Sequence, residues 1–225
     1  MDALRVIEVK KSVYANNDLE AQENRDLLKK QDTFMMNLMS SPGSGKTTML
    51  VQTLNNLKLK FKIGIIEADI DSDVDAKTIQ TTGVDVIQIH NGGMCHLDAA
   101  MVRQSLDDIG SSALDFVVVE NIGNLICPAS YDLGQALNCM ILSVPEGDDK
   151  PLKYPKMFKR VDVLLVSKID TLSVFDFDFE ALETNVKKLN PNIKIFLISA
   201  KTGEGMKAWT DYLKQKIENE VNSHE

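Results

Sequence analysis

The sequence predicts an α/β domain, a mostly parallel β-sheet flanked by helices on both faces. Three observations carry that prediction. Short runs rich in Val, Ile and Met recur along the chain and are apolar on both faces, as expected of strands covered by helices on either side. Segments of helical length separate most of them. The first run ends in a Gly/Ser/Pro turn that passes straight into a helical pattern, the order of parts found in phosphate-binding loops.

The elements follow in order. Residues 1–33 are polar and charged. There Asn17-Asp18, ahead of Leu19-Glu20-Ala21-Gln22-Glu23, reads as a capped helix start, with Leu27 and Leu28 as later apolar positions. This predicts an N-terminal helical extension over 1–33, laid against one main domain over 34–225. Phe34–Met39 is the first strand, and Lys46–Leu57 the helix after it. Further strands are expected at Lys62–Glu67, Val84–Ile89, Phe116–Glu120, Cys139–Val144, Asp162–Ser167 and Lys194–Ser199. Gly205–Glu220 reads as a closing helix. No linker, repeat or low-complexity tract divides the chain, and 225 residues suit one large domain.

Composition narrows the function. Apolar residues make up 44% and charged residues 26%, the balance of a soluble globular protein. Lys and Arg number 25 against 33 Asp and Glu, a net charge of −8. With a pI near 5.0, a nucleic-acid partner is not expected. A local basic site for a phosphorylated ligand remains open. The longest apolar run, around Val163–Val166, is far short of the roughly 18–20 residues of a membrane helix. No secretory signal is visible. Three cysteines cannot make a disulfide framework. The expected setting is a reducing cytoplasm, where thiols act as thiols or as metal ligands.

Ser40-Ser41-Pro42-Gly43-Ser44-Gly45-Lys46-Thr47-Thr48 lies between the first strand and a helix. It matches G-x-x-x-x-G-K-[ST] with Ser40 in place of the first glycine. Gly43, Ser44 and Gly45 turn backbone N–H groups toward phosphate oxygens, and the helix N-terminus adds its positive end. Lys46 reaches the β- and γ-phosphates, and the Thr47 hydroxyl takes a Mg²⁺ position. The acid that completes the Mg²⁺ site is sought among Glu67, Asp69, Asp71, Asp73, Asp75 and Glu120. Glu120 stands out because it ends Val117-Val118-Val119, the expected central strand. Carboxyl ends of strands are where ligands bind in open α/β sheets.

Two later strand ends read as a base-binding site. Val163–Val166 is followed by Ser167-Lys168-Ile169-Asp170, a variant of N-K-x-D. The Asp170 carboxylate would accept from the guanine ring N–H and its exocyclic amine, donors that adenine does not supply in that arrangement. The Lys168 stem would pack along the base. Ser199-Ala200-Lys201 resembles the loop whose backbone N–H meets the guanine carbonyl. Together they favour GTP over ATP.

Gly92-Gly93-Met94-Cys95-His96-Leu97-Asp98 sets a thiol beside an imidazole, and Cys127 follows the Glu120 strand. Thiolate and imidazole suit Zn²⁺ and Ni²⁺. Three ligands do not close a four-coordinate structural site, so such a site is open or completed across a two-fold axis. The competing reading makes both cysteines small buried hydrophobes. Cys139 lies inside an apolar strand and reads as core.

The chain resembles a known family in Ser40–Thr48, in Cys95-His96-Leu97-Asp98-Ala99, in Glu120-Asn121-Ile122-Gly123-Asn124-Leu125-Ile126-Cys127-Pro128-Ala129 and in Ser199-Ala200-Lys201. These blocks resemble the nickel-insertion GTPases of NiFe-hydrogenase maturation, the HypB family. The resemblance implies a SIMIBI-type fold with seven or eight strands and a nucleotide-dependent homodimer. It implies slow, regulatory hydrolysis of GTP to GDP, with delivery of nickel to a hydrogenase large-subunit precursor and a HypA-type chaperone as partner. By the same resemblance, Cys95, His96 and Cys127 are the interface ligands for Ni²⁺ or Zn²⁺. Thr47, Asp75 and Glu120, with Asp69, are the Mg²⁺ and switch groups. Lys153, in Glu146-Gly147-Asp148-Asp149-Lys150-Pro151-Leu152-Lys153, reaches the partner's nucleotide. Neither the family's N-terminal cysteine motif nor its His-rich stretch is in the sequence, which argues against a storage role. Alternatives are a urease-type nickel GTPase and a P-loop ATPase or kinase with structural cysteines.

Overall fold

The computed structural model describes residues 9–69, 73–90 and 92–221. Seven strands form one sheet, in the order β3-β2-β4-β1-β5-β6-β7. They are β1 (Phe34–Ser40), β2 (Ile63–Asp69), β3 (Asp85–His90), β4 (Phe116–Glu120), β5 (Leu137–Ser143), β6 (Val163–Ser167) and β7 (Lys194–Leu197). Every neighbouring pair is parallel, so all seven carboxyl ends share one edge. The expected sheet was mostly parallel; the observed one is entirely so.

Alternation along β1 explains the layers. Met36 and Leu38 point to one face, where α2 (Lys46–Leu57) supplies Leu50 and Leu54 and α8 (Met206–Val221) supplies Trp209 and Leu213. Met35 and Met39 point to the other face, which carries two apolar clusters. One joins Met35, Val117 and Val119 to Leu28 of α1 (Val9–Lys30) and Val102 of α4 (Ala99–Asp108). The other joins Met39, Met140 and Leu164 to Phe158 of α6 (Pro155–Arg160) and Val186 of α7 (Phe179–Leu189). Each fully buried side chain of this size contributes about 1.5–3 kcal/mol. Asn37, between Met35 and Met39, is buried as well.

Boundaries moved at several places. β2 extends to Asp69, β5 begins at Leu137, and β7 stops at Leu197. The larger correction is in α1, whose first described residue is Val9, so Asn17-Asp18 is interior rather than a helix start. The capping chemistry of Asn17 is used on another helix. Its Oδ1 accepts from Ala99 N, the first residue of α4, at 2.9 Å, and its Nδ2 donates to Asp132 O at 2.8 Å. No described helix is long and apolar enough to cross a membrane.

Candidate functional site

The phosphate loop connects β1 to α2 at the carboxyl edge of the sheet. Gly45 takes φ +90, a left-handed turn open to glycine. It occupies the N-cap of α2 with no side chain covering the helix end, so the first N–H groups stay available to an anion. A cavity of about 480 Å³ opens there, lined by Pro42, Gly43, Gly45, Lys46, Thr47 and Thr48, with Asp75 and Gly123 opposite. Asp75 enters from the first turn of α3 (Val74–Gln80). At Gly123 a Cβ would lie 3.3 Å from the Pro42 nitrogen, so the chain after β4 packs closely against the phosphate loop and a side chain there would push on Pro42.

Lys46 Nζ lies 3.0 Å from Glu120 Oε1, and Glu120 is fully buried. Glu67, also buried, is the register partner of Glu120 on β2. Asp69 ends β2 at the same edge, but its side chain and Asp71 lie outside the described residues. Asp73 is ion-paired on the surface with Lys77, which holds its carboxyl below the usual carboxylate range by hydrogen bonding.

A second cavity of about 300 Å³ shares Gly45 and Thr48 with the first. Its far wall is Ser167, Lys168 and Asp170 from the end of β6, and Ser199, Ala200 and Lys201 from the end of β7. Ser44 lines this cavity also. Ser167 Oγ donates to Ser44 O at 2.7 Å, so the residue standing in for Asn still ties the base loop to the phosphate loop. Lys168, at φ +59, donates from Nζ to Gly43 O at 2.7 Å. Ser199 Oγ donates to Asp170 Oδ1 at 2.7 Å, which orients that carboxylate. Phosphate and base ends thus form one elongated cleft.

Lys153 is placed elsewhere. It ends the short α5 (Lys150–Lys153) and pairs with Asp149, outside the lining of both cavities. Hydrogen bonding in this pair holds the Lys153 pKa above and the Asp149 pKa below their ordinary values.

Cys95, His96 and Cys127 converge. Their candidate ligand atoms all lie within 4.8 Å of one another. Cys95 Sγ is 2.7 Å from Cys127 Sγ and 3.8 Å from His96 Nδ1. The shared thiol hydrogen bond, with burial second, pushes the Cys95 pKa up. Burial holds His96 below the usual imidazole range, against the opposing Asp98 carboxylate. A neutral imidazole beside two thiols is a donor set for a borderline divalent metal, and loading it would release thiol protons. Cys139 is fully buried, and burial raises its pKa, in keeping with a core role.

Sequence reasoning missed the groups that hold these ligands. Asn124 Oδ1 accepts from Ile126 N at 2.8 Å and Cys127 N at 3.3 Å, while its Nδ2 donates to Cys95 O at 3.4 Å. One amide therefore spans both ligand loops. The Tyr131 ring stacks on His96 with centroids 3.8 Å apart, and Tyr14 of α1 packs on Tyr131. Asn124 lies inside the Glu120–Ala129 block, whereas nothing local marks Tyr131.

Residues 34–197 match the family model described as CobW/HypB/UreG, nucleotide-binding domain. The chain belongs to the CobW/HypB/UreG family. Within it the chain falls in the HypB branch. It is 43% identical over 213 residues to the hydrogenase maturation factor HypB of Rhizobium leguminosarum bv. viciae, covering 95% of this chain and 71% of that protein. It is 40% identical over 223 residues to the hydrogenase/urease maturation factor HypB of Helicobacter pylori J99, covering 97% and 91%. The crystal structure of HypB from Helicobacter pylori in complex with nickel superposes with a TM-score of 0.84 at 40% identity, over 92% of this chain and 97% of that one. The SIMIBI-type fold of HypB proteins is the fold observed.

Proposed function

We propose that this HypB-family chain is a GTP-hydrolysing metallochaperone that delivers nickel during hydrogenase maturation. One observation carries the reading. The segment that brings Cys127 to Cys95 and His96 starts at Glu120, the residue ion-paired with the phosphate-loop Lys46. Nucleotide and metal ends therefore share one stretch of chain. The nickel-bound Helicobacter pylori relative supports the choice of cargo.

GTP would lie along the cleft with guanine on Asp170 and the Ser199-Ala200-Lys201 loop. Gly43, Ser44, Gly45 and Thr48 would wrap the phosphates. Thr47 and Asp75, which line one cavity, would hold Mg²⁺ together with Glu120 and Asp69; when bound, the ion neutralises charge on the phosphates. Lys46 would shift from Glu120 to the β- and γ-phosphates. Water attacks the γ-phosphorus, the bond to the β–γ bridging oxygen breaks, and GDP, phosphate and a proton leave.

Three ligands leave the metal site open, and a second copy across a two-fold axis would contribute three more. We assign the chain a nucleotide-dependent homodimer, with Ni²⁺ or Zn²⁺ between protomers and Lys153 reaching toward the partner's nucleotide. A HypA-type chaperone and a hydrogenase large-subunit precursor in the cytoplasm complete the proposed route. A second reading, delivery to a urease, is favoured by the Helicobacter relative whose name joins both tasks.

Metal titration and nucleotide competition test this together. GTP should outcompete ATP, and nickel should bind at a stoichiometry that Cys95→Ala or Cys127→Ala abolishes. Unchanged nickel stoichiometry in both variants, or an ATP preference, would overturn the proposal.

A further inference from the structure

Residues 121–136 leave the sheet after β4, carry Cys127, and return to β5. Both feet of this excursion stand on β1. At the first foot, Asn121 N donates to Leu38 O at 2.9 Å, and Asn121 Nδ2 donates to Asn37 Oδ1 at 3.1 Å. At the second, Ala136 N donates to Met35 O at 2.9 Å. There Asn138 Oδ1 accepts from Gln135 Nε2 at 2.9 Å and from Asn37 Nδ2 at 3.4 Å. Asn37 is fully buried, and its one amide is committed to both feet.

An amide at this place is not what packing asks for. Asn37 shares its face of β1 with Met35 and Met39, where an apolar side chain would avoid the desolvation of a polar group. What the amide supplies is direction, because each of its bonds fixes one foot of the ligand-bearing loop. Asn37 also sits three positions before Ser40, at the entrance to the phosphate loop. Asn121 directly follows Glu120, whose carboxylate holds Lys46. A triphosphate that draws Lys46 away from Glu120 therefore acts one residue from the first foot.

We propose that Asn37, with Asn121, Gln135 and Asn138, is a positioning device that carries nucleotide state to the Cys127 loop. This rests on the nucleotide and metal reading above and names the residues that couple its two halves. Coupling here means that nickel affinity differs between the GDP-bound and GTP-bound forms, with the reciprocal effect on nucleotide affinity.

The test uses the full chain, titrated with nickel and followed by thiolate-to-nickel charge-transfer absorption. One arm contains GDP and the other a non-hydrolysable GTP analogue. The parent should show affinities differing by about fivefold or more between arms. Asn37→Leu should bring that ratio close to one while leaving guanine-nucleotide affinity of the nickel-free protein unchanged. Where the single variant does not fold, Asn37→Leu with Asn121→Leu removes both members of one bond and reads the same ratio. A folded variant that keeps the parent's ratio overturns the device and leaves the functional reading standing. A parent with no difference between arms overturns both.

Discussion

The nucleotide cleft and the proposed metal site are built in opposite ways. At the nucleotide end, each group sits directly on the end of a strand or the start of a helix. Gly45 caps α2, Ser167 ends β6 with Asp170 just beyond it, and Ser199 follows β7. At the proposed metal site the candidate ligands ride on loops that have left the sheet, held by side-chain amides and ring stacking from Asn124, Asn17 and Tyr131. The first kind of site inherits its rigidity from backbone ladders. The second depends on contacts between distant segments.

Substitutions at three positions sharpen that contrast. The largest effect is expected of Lys46→Ala, which should lower GTP hydrolysis by about 10²–10³-fold, as removal of a charge-stabilising donor does. Nickel stoichiometry of the nucleotide-free variant should stay at the parent's level, since Cys95, His96 and Cys127 are all retained. Phosphate release and nickel titration measure the two, and an equal fall in both would erase the distinction between ends. Next, Asn124→Ala should weaken nickel binding by about tenfold, the scale of second-layer support at metal sites. Asn124→Asp keeps the acceptor facing Ile126 N and Cys127 N and should recover most of the loss. Guanine-nucleotide affinity should not change in either variant. The smallest effect belongs to Ser167→Ala. It removes the hydroxyl bonded to Ser44 O and should weaken GDP binding by about 0.5–1.5 kcal/mol, read by calorimetry, with nickel affinity untouched.

The same contrast decides what could be read from the sequence. The phosphate and base loops were legible because contiguous residues do the work, so a string such as Gly45-Lys46-Thr47 already specifies turn, helix end and charge. Parallel strands were legible as well, since burial on both faces leaves continuous apolar runs. Cys95 and Cys127 were recognisable as ligand types, but their approach across 32 positions came only from the family resemblance, since no local spacing sets it. Asn17 shows why. Its residue type correctly signals capping, and local sequence assigns that role to its own helix. The folded chain uses it on α4, 82 residues away. Long-range use of a local signal leaves no periodicity to detect. The seam through Asn37 was hidden for a related reason, since a single polar residue in an apolar run reads as an irregularity of the strand.

The bond from Asn17 to Asp132 spans 115 positions, and with it comes an order of events. Tyr14, Asn17, Cys95, Asn124, Cys127, Tyr131 and Asn138 all lie in the first 138 residues, whereas the guanine wall waits for residues 167–201. A chain emerging from the ribosome has every group of the metal end in hand before the first residue of the guanine wall has been added.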